Sequence, residues 1–313
     1  MRGALLEAPD VVATVRGLLD EGVAAQAIAV LYRSREQGIG VLAELAAAKI
    51  AIETEDLERL RSSRVAALVA AYLRLATAPG PATLTDAWRI VYAPGRFVQK
   101  EALGRQLEAR RGRLSGALAD GALARELGQP KAAVEAMAKL SRLLELIRWT
   151  TSTREAAEVL AERGELDSQL CPASASEERR AREDAELAAI LRLFASFDVA
   201  PALAERALRE WDPTLGRPPQ ERVWASTIHR AKGREWRCVV LPRLAEGLCP
   251  ARSRGDALPG SDDAPAGVDP SPWLEQERRI FYVGLTRASE RVYLQASPEA
   301  PSRFLAELRG GAS

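Results

Sequence analysis

Residues Ile28-Ala29-Val30-Leu31-Tyr32 form a five-residue run without a charge, too short for a core helix and flanked by segments of helical spacing. A strand of that composition needs cover on both faces, which is the situation of a strand inside a parallel sheet. Ahead of it, Asp10 to Leu19 places Val11, Val12, Val15, Leu18 and Leu19 on one helical face, and Glu21-Gly22 ends the helix. After it come Arg33 and Ser34, then a helix through Leu42, Leu45 and Ala48. Helix, strand and helix in this order predict an α/β domain with a parallel sheet flanked by helices.

The same pattern returns late in the chain. Val223–Thr227, Cys238–Leu241 and Val292–Gln295 read as strands, with a helix from Leu274 to about Leu285. Between Asp56 and Leu208 the spacing is helical: Leu60–Leu75, Leu103–Leu123, Ala132–Ile147, Ala156–Arg163 and Glu177–Ala195. The breaks fall at Ala78-Pro79-Gly80-Pro81, Ala93-Pro94-Gly95 and Cys171-Pro172. A helical stretch of this length between α/β segments predicts an inserted all-helical subdomain, set at residues 96–218, within a discontinuous α/β domain of residues 1–95 and 219–313. The Pro-, Gly-, Asp- and Ser-rich stretch 250–272 reads as a mobile loop.

With 313 residues the chain has room for one large or two modest domains. Its net charge of +1 excludes an argument for nucleic-acid binding from bulk charge, so any binding surface is local. Three cysteines, odd in number and without CxxC spacing, argue against a disulfide framework or a zinc site and suit a reducing cytoplasm. No apolar stretch reaches the roughly 18 residues of a membrane span. A cytoplasmic chain with no membrane partner and no metal of its own is expected.

The stretch from Thr227 to Trp236 follows directly on a strand. Strand C-terminal ends in a parallel sheet open onto the ligand crevice. Thr227 and His229 share a face if strand geometry persists. Gly233 permits close backbone approach. Glu235 suits a ribose hydroxyl, and Arg230 and Lys232 supply charge for phosphates. On spacing alone the single histidine reads more readily as a structural residue, and the arginine run as a solvated face. A second stretch, Gln276 to Ala288, reads as a helix with Ile280, Phe281 and Val283 inward, ending near Gly284 and presenting Arg287. A guanidinium there suits phosphate oxygens better than an ammonium does, although an amphipathic helix with an exposed end explains the pattern equally.

Together these segments resemble the UvrD/Rep-type superfamily 1 helicases. TIHRAKGREW (227–236), the VVLPRLAEGLCP that follows and EQERRIFYVGLTRA (275–288) are similar to motifs V and VI of that family, and IAVLYRS (28–34) to its motif IV. DAWRIVYAPGR (86–96) and PSRFLAEL (301–308) are similar to the family segment before the inserted helices and to its ending. The resemblance implies a RecA-like fold of the P-loop NTPase type. It implies that Arg33 and Arg287 reach the ATP γ-phosphate, that Glu235 contacts the nucleotide sugar near Gly233, and that Tyr282 packs by the nucleotide cleft. It implies that Thr227 and His229 touch or sense single-stranded DNA, beside Arg230 and Lys232.

The GxxxxGK[ST] loop that cradles β/γ-phosphates is absent from the sequence, as is an apolar strand ending in the Asp-Glu pair that manages magnesium and water. The chain is therefore expected to be the C-terminal part of a DNA helicase or translocase, a truncated piece or half-gene. ATP with Mg2+ would be used only with a P-loop RecA-like domain from the same native chain or a separate subunit, and neither would be held tightly by this part alone. Single-stranded DNA and single/double-strand junctions are the expected nucleic-acid partners. The rival expectation is a nonenzymatic DNA- or protein-docking module that keeps helicase motifs as relics of the fold.

Overall fold

The computed structural model describes residues 4–7, 10–77, 84–92, 101, 104–105, 131–164, 166, 177–251, 272–296 and 300–310. The chain divides into two compact units, Met1–Leu57 with Asp212–Ser313, and Glu58–Trp211.

The discontinuous unit is built on β1 (Ala4–Glu7), α1 (Val11–Asp20), β2 (Ile28–Tyr32), α2 (Arg35–Ala47) and β3 (Ile52–Glu53) from its first segment. Its strands pair with β4 (Val223–Thr227), β5 (Trp236–Leu244) and β6 (Ala288–Ala296) of the second. The sheet order is β1-β6-β5-β2-β4-β3, and every pairing is parallel. β2 lies inside the sheet between β5 and β4, so all five of its residues are buried, as its uncharged composition requires.

Strand alternation divides those five residues between two faces. Ala29 and Leu31 join a core with Val239, Leu241, Ile280, Phe281, Val292 and Phe304, and the Phe281 and Phe304 rings stack 5.2 Å apart. The last three elements of that layer are β6 and two helices that follow the loop region, Pro272–Leu285 and Arg303–Gly310. On the other face the Tyr32 ring lies against Gly38 of α2 so closely that a Cβ there would meet it at 2.5 Å. Both helices of the first segment start on side-chain caps: Asp10 accepts from the Ala13 N–H, and Ser34 and Gln37 form a capping box.

Among the described residues the helical unit comprises α3 (Leu57–Arg61), which begins at the boundary, α4 (Arg64–Thr77), α5 (Leu84–Tyr92), α6 (Lys131–Arg148), α7 (Thr153–Arg163), α8 (Glu177–Phe197) and α9 (Ala204–Glu210). The last two helices of the chain, both in the sheet unit, are α10 (Pro272–Leu285) and α11 (Arg303–Gly310). α4 is apolar nearly all round and contacts α5, α6, α8 and α9. Its Arg74 donates to the buried Asp86 of α5 at 2.6 Å and also pairs with Glu205 of α9.

Sequence spacing set the segment limits at 95 and 219, whereas the compact units meet at Leu57/Glu58 and Trp211/Asp212. The Arg74 link and the apolar girth of α4 explain why residues 64–77 and 84–92 pack with the later helices. The expected stretch Leu60–Leu75 is two helices, broken where the Ser63 hydroxyl caps the second by accepting from the Ala66 N–H. β1 and β3 had no sequence signal; both are short edge strands. Nearly all of the expected helix 103–123 and of the expected loop 250–272 lies outside the described residues.

Candidate functional site

β2 and β4 end level, with Tyr32 opposite Thr227, and the chain continues from each at the C-terminal edge of the sheet. The Ile228 N–H donates to the Tyr32 carbonyl at 2.9 Å, which sets Arg33 beside the start of the 228–235 turn. Arg33 is held at both ends. Its backbone N–H donates to Gln37 Oε1 at 3.0 Å. Its guanidinium makes a two-point fork on Glu277 of α10, Nε to Oε2 at 2.8 Å and Nη2 to Oε1 at 2.5 Å. The Glu277 side chain is 3% exposed and that of Arg33 19%. These hydrogen bonds to Glu277 raise the Arg33 pKa above its ordinary value, against the cost of burial.

The segment from Ile228 to Arg234 folds as successive tight turns: the N–H groups of Arg230, Ala231, Lys232 and Arg234 donate to the carbonyls of Thr227, Ile228, His229 and Ala231. Ile228 and Ala231, three apart and so on one side of a three-residue turn, are buried in the core. That leaves His229, Lys232, Gly233, Arg234 and Glu235 exposed. Gly233 has φ +79°, and a Cβ there would meet nothing within 4 Å. Its role is the left-handed turn, and the space over it is open to a ligand. The His229 pKa is lowered from its ordinary value, first by desolvation and then by the charges of Arg33 and Lys232.

The structure treats the other members of this stretch differently. Thr227 is 7% exposed, the last residue of β4. Arg230 is bound to two acids, Asp56 at 3.1 Å and Glu55 at 3.3 Å. Asp56 is buried and also accepts from the Tyr32 hydroxyl at 2.8 Å. Burial, followed by that bond, pushes the Tyr32 phenol well above its usual range. Arg234 lies over the Trp224 ring at 4.1 Å, and Trp224 stacks on Trp236. Lys232 is therefore the exposed cation of the turn that carries neither an acid nor a ring among the described residues.

Arg287 lies at the other end of the strands, just before β6. Its carbonyl accepts from the Trp236 N–H at 2.9 Å. Among the described residues its guanidinium meets neutral oxygens: the Val283 carbonyl at 3.2 Å, the Arg234 carbonyl at 3.1 Å and Thr286 Oγ1 at 3.3 Å. The two arginines expected to act together are thus held apart, Arg33 on Glu277 and Arg287 on a carbonyl six residues further along α10, about 9 Å of helix rise. Tyr282 is 58% exposed on α10, and its ring is not packed into the core.

Three residues that sequence reasoning did not single out organise this edge: Glu277, Asp56 and Gln37. Glu277 stood inside a quoted motif, yet only burial distinguishes it from the surface acids around it. Among the described residues no group of three or more His, Cys, Asp or Glu is placed to hold a metal ion.

An all-parallel α/β sheet flanked by helices, in the order β1-β6-β5-β2-β4-β3, is consistent with the RecA-like class. The profile of the family described as UvrD-like helicase C-terminal domain matches residues 106–299, and the chain belongs to that family. It is 39% identical over 84 residues to the ATP-dependent DNA helicase srs2 of Schizosaccharomyces pombe, which is 27% of this chain and 8% of that protein. It is 38% identical over 101 residues to DNA helicase II of Haemophilus influenzae, 29% of this chain and 12% of the relative. With the ATP-dependent DNA helicase Rep of Buchnera aphidicola it shares 31% identity over 107 residues, 31% of this chain and 14% of the relative. The matched part spans only about a tenth of each relative's length.

Proposed function

We propose that this chain is the second motor half of an ATP-dependent DNA helicase or translocase, which completes an ATP site when a P-loop domain faces it. One observation carries the reading. The turn 228–235 joins the two ends of the candidate site: at its start the Ile228 N–H donates to the Tyr32 carbonyl, next to Arg33, and near its end the Arg234 carbonyl holds Arg287. A DNA phosphate or base at His229 and Lys232 and a nucleotide phosphate at Arg287 therefore pull on the same eight residues.

In this reading ATP occupies the cleft between the P-loop domain and the sheet unit, with the P-loop domain bringing the phosphate cradle and Mg2+. Arg287 leaves its weak neutral acceptors for the γ-phosphate, whose charge its fork stabilises as the phosphoryl group transfers. Glu235, exposed two residues after Gly233, takes a sugar hydroxyl. Closure and reopening of the cleft move the turn, and through it the DNA contact, by one step per cycle.

The test is hydrolysis by the chain with and without a P-loop domain. Alone, the chain is expected to bind ATP weakly and to hydrolyse none in response to single-stranded DNA; joined to the P-loop domain it is expected to turn over. Robust hydrolysis by the purified chain alone, abolished by Arg287→Ala, would overturn the two-part site. Tight, salt-insensitive binding of single strands without any ATP response in the joined protein would favour a docking module instead.

A further inference from the structure

We infer that Glu277 is a positioning residue for Arg33: the buried carboxylate occupies one edge of the guanidinium permanently and thereby aims the other edge at an incoming phosphate. The inference rests on the proposed ATP-dependent motor reading together with the phosphate contact that the family resemblance implies for Arg33. Its support is geometric. An arginine carries five N–H donors in a planar fork. The Glu277 carboxylate takes one from Nε and one from Nη2, in the two-point geometry that fixes the plane of the guanidinium. Nη1 and the second hydrogen of Nη2 are left, on the edge that faces away from α10.

The obvious competing idea is that Glu277 stands in for the γ-phosphate and releases Arg33 when nucleotide arrives. Burial argues against it. Glu277 is 2% exposed, its one other described partner is the Ala251 N–H at 2.9 Å, and a carboxylate stranded there would lose its compensating cation without gaining water. Arg33 is also anchored from behind, because its backbone N–H is tied to Gln37 Oε1 in the capping box of α2. Both ends of the side chain are therefore fixed before any ligand binds, which is the preorganisation that electrostatic catalysis needs.

The experiment is a pair of double-mutant cycles on Arg33→Ala and Glu277→Gln. The first uses ATP hydrolysis by the chain joined to its P-loop domain. Glu277→Gln is expected to lower kcat on the order of 10²-fold, the cost of a small misplacement of a catalytic group, with KM for ATP nearly unchanged. In the Arg33→Ala background the same change should lower kcat no further. The second cycle uses thermal unfolding of the chain itself: Arg33→Ala should lower Tm, and adding Glu277→Gln should recover part of the loss by removing the stranded charge. A Glu277→Gln enzyme with parental or raised kcat overturns the positioning role, as does an undiminished effect of Glu277→Gln in the Arg33→Ala background. Purely additive Tm losses overturn the coupling. A joined wild-type protein without hydrolysis would instead sink the proposed function, and the Tm cycle would still decide the pairing.

Discussion

Arg287 donates from Nη1 to the backbone carbonyl of Arg234 at 3.1 Å, so the guanidinium that ends α10 is fastened to the turn that leaves β4. Its three acceptors among the described residues are neutral and lie 3.1–3.3 Å away. A guanidinium on uncharged acceptors gains less than it would on an ionised phosphate, which adds a full opposite charge and a two-point fit. Arg287→Ala is accordingly expected to leave Tm of the chain within a few degrees of wild type while reducing hydrolysis by the joined protein about 10³-fold or more. Arg287→Lys should rescue poorly, since an ammonium cannot reproduce the fork. Parental hydrolysis by Arg287→Ala would remove the residue from the site.

Asp56 carries the opposite expectation, one of stability. It is buried and holds both the Tyr32 hydroxyl and the Arg230 guanidinium. Asp56→Ala should cost about 3–5 kcal/mol in urea unfolding, the range for breaking a buried charge pair. Tyr32→Phe, which removes one hydrogen bond, should cost about 1 kcal/mol. Equal small losses for the two would show that Asp56 is not the hub.

The same pairing separates two basic residues that sequence reasoning treated alike. Arg230 is neutralised by Asp56 and Glu55, whereas Lys232 is exposed without an acid partner among the described residues. Lys232→Ala should therefore weaken single-stranded DNA binding and reduce its salt slope by about one unit, as loss of one phosphate contact does. Arg230→Ala should change the slope less and stability more. Fluorescence anisotropy at several salt concentrations distinguishes them, and equal slopes for both variants would refute the ranking.

His229 gives a pH signature whose sign follows from its surroundings. Its folded pKa lies below 6.5, so around that pH the unfolded chain binds more protons than the folded one. Stability from this group is then complete above about pH 6.5 and falls as pH drops from there through the folded pKa. His229→Gln should flatten the pH dependence of Tm between about pH 7 and 5.5, with carboxylates titrating mostly below that window. A steeper dependence in the variant would contradict the sign.

Gly233 tests the turn itself. At φ +79° an L-residue is strained although nothing obstructs its Cβ. Gly233→Ala should cost about 1–2 kcal/mol in denaturant unfolding and disturb the 228–235 turn. If the variant is as stable as wild type, the left-handed turn is not required there.

Much of the fold could be read from the chain. The uncharged run 28–32 announced a strand covered on both faces, and β2 lies between β4 and β5 with all five residues buried. The helix after Asp10 was legible from its spacing, and the Asp10, Ser34 and Ser152 side chains each cap the helix that follows, a local interaction that needs no tertiary partner. The α/β class and the family were legible for the same reason: the motifs are contiguous, and their chemistry lies within a few residues of sequence.

What the sequence could not settle depends on residues far apart in the chain. β1 exists because β6, nearly three hundred residues later, offers it a free edge, and a four-residue strand has no propensity strong enough to declare itself. The selection of Glu277 from its acidic neighbours, the capture of Arg230 by Asp56 and the separation of Arg33 from Arg287 were also decided in three dimensions. A charged side chain carries the same label whether it faces water or a buried partner, and only packing determines how much of its charge remains for a ligand. The sequence determined which groups were available at this site; the tertiary structure decided which of them were already spoken for.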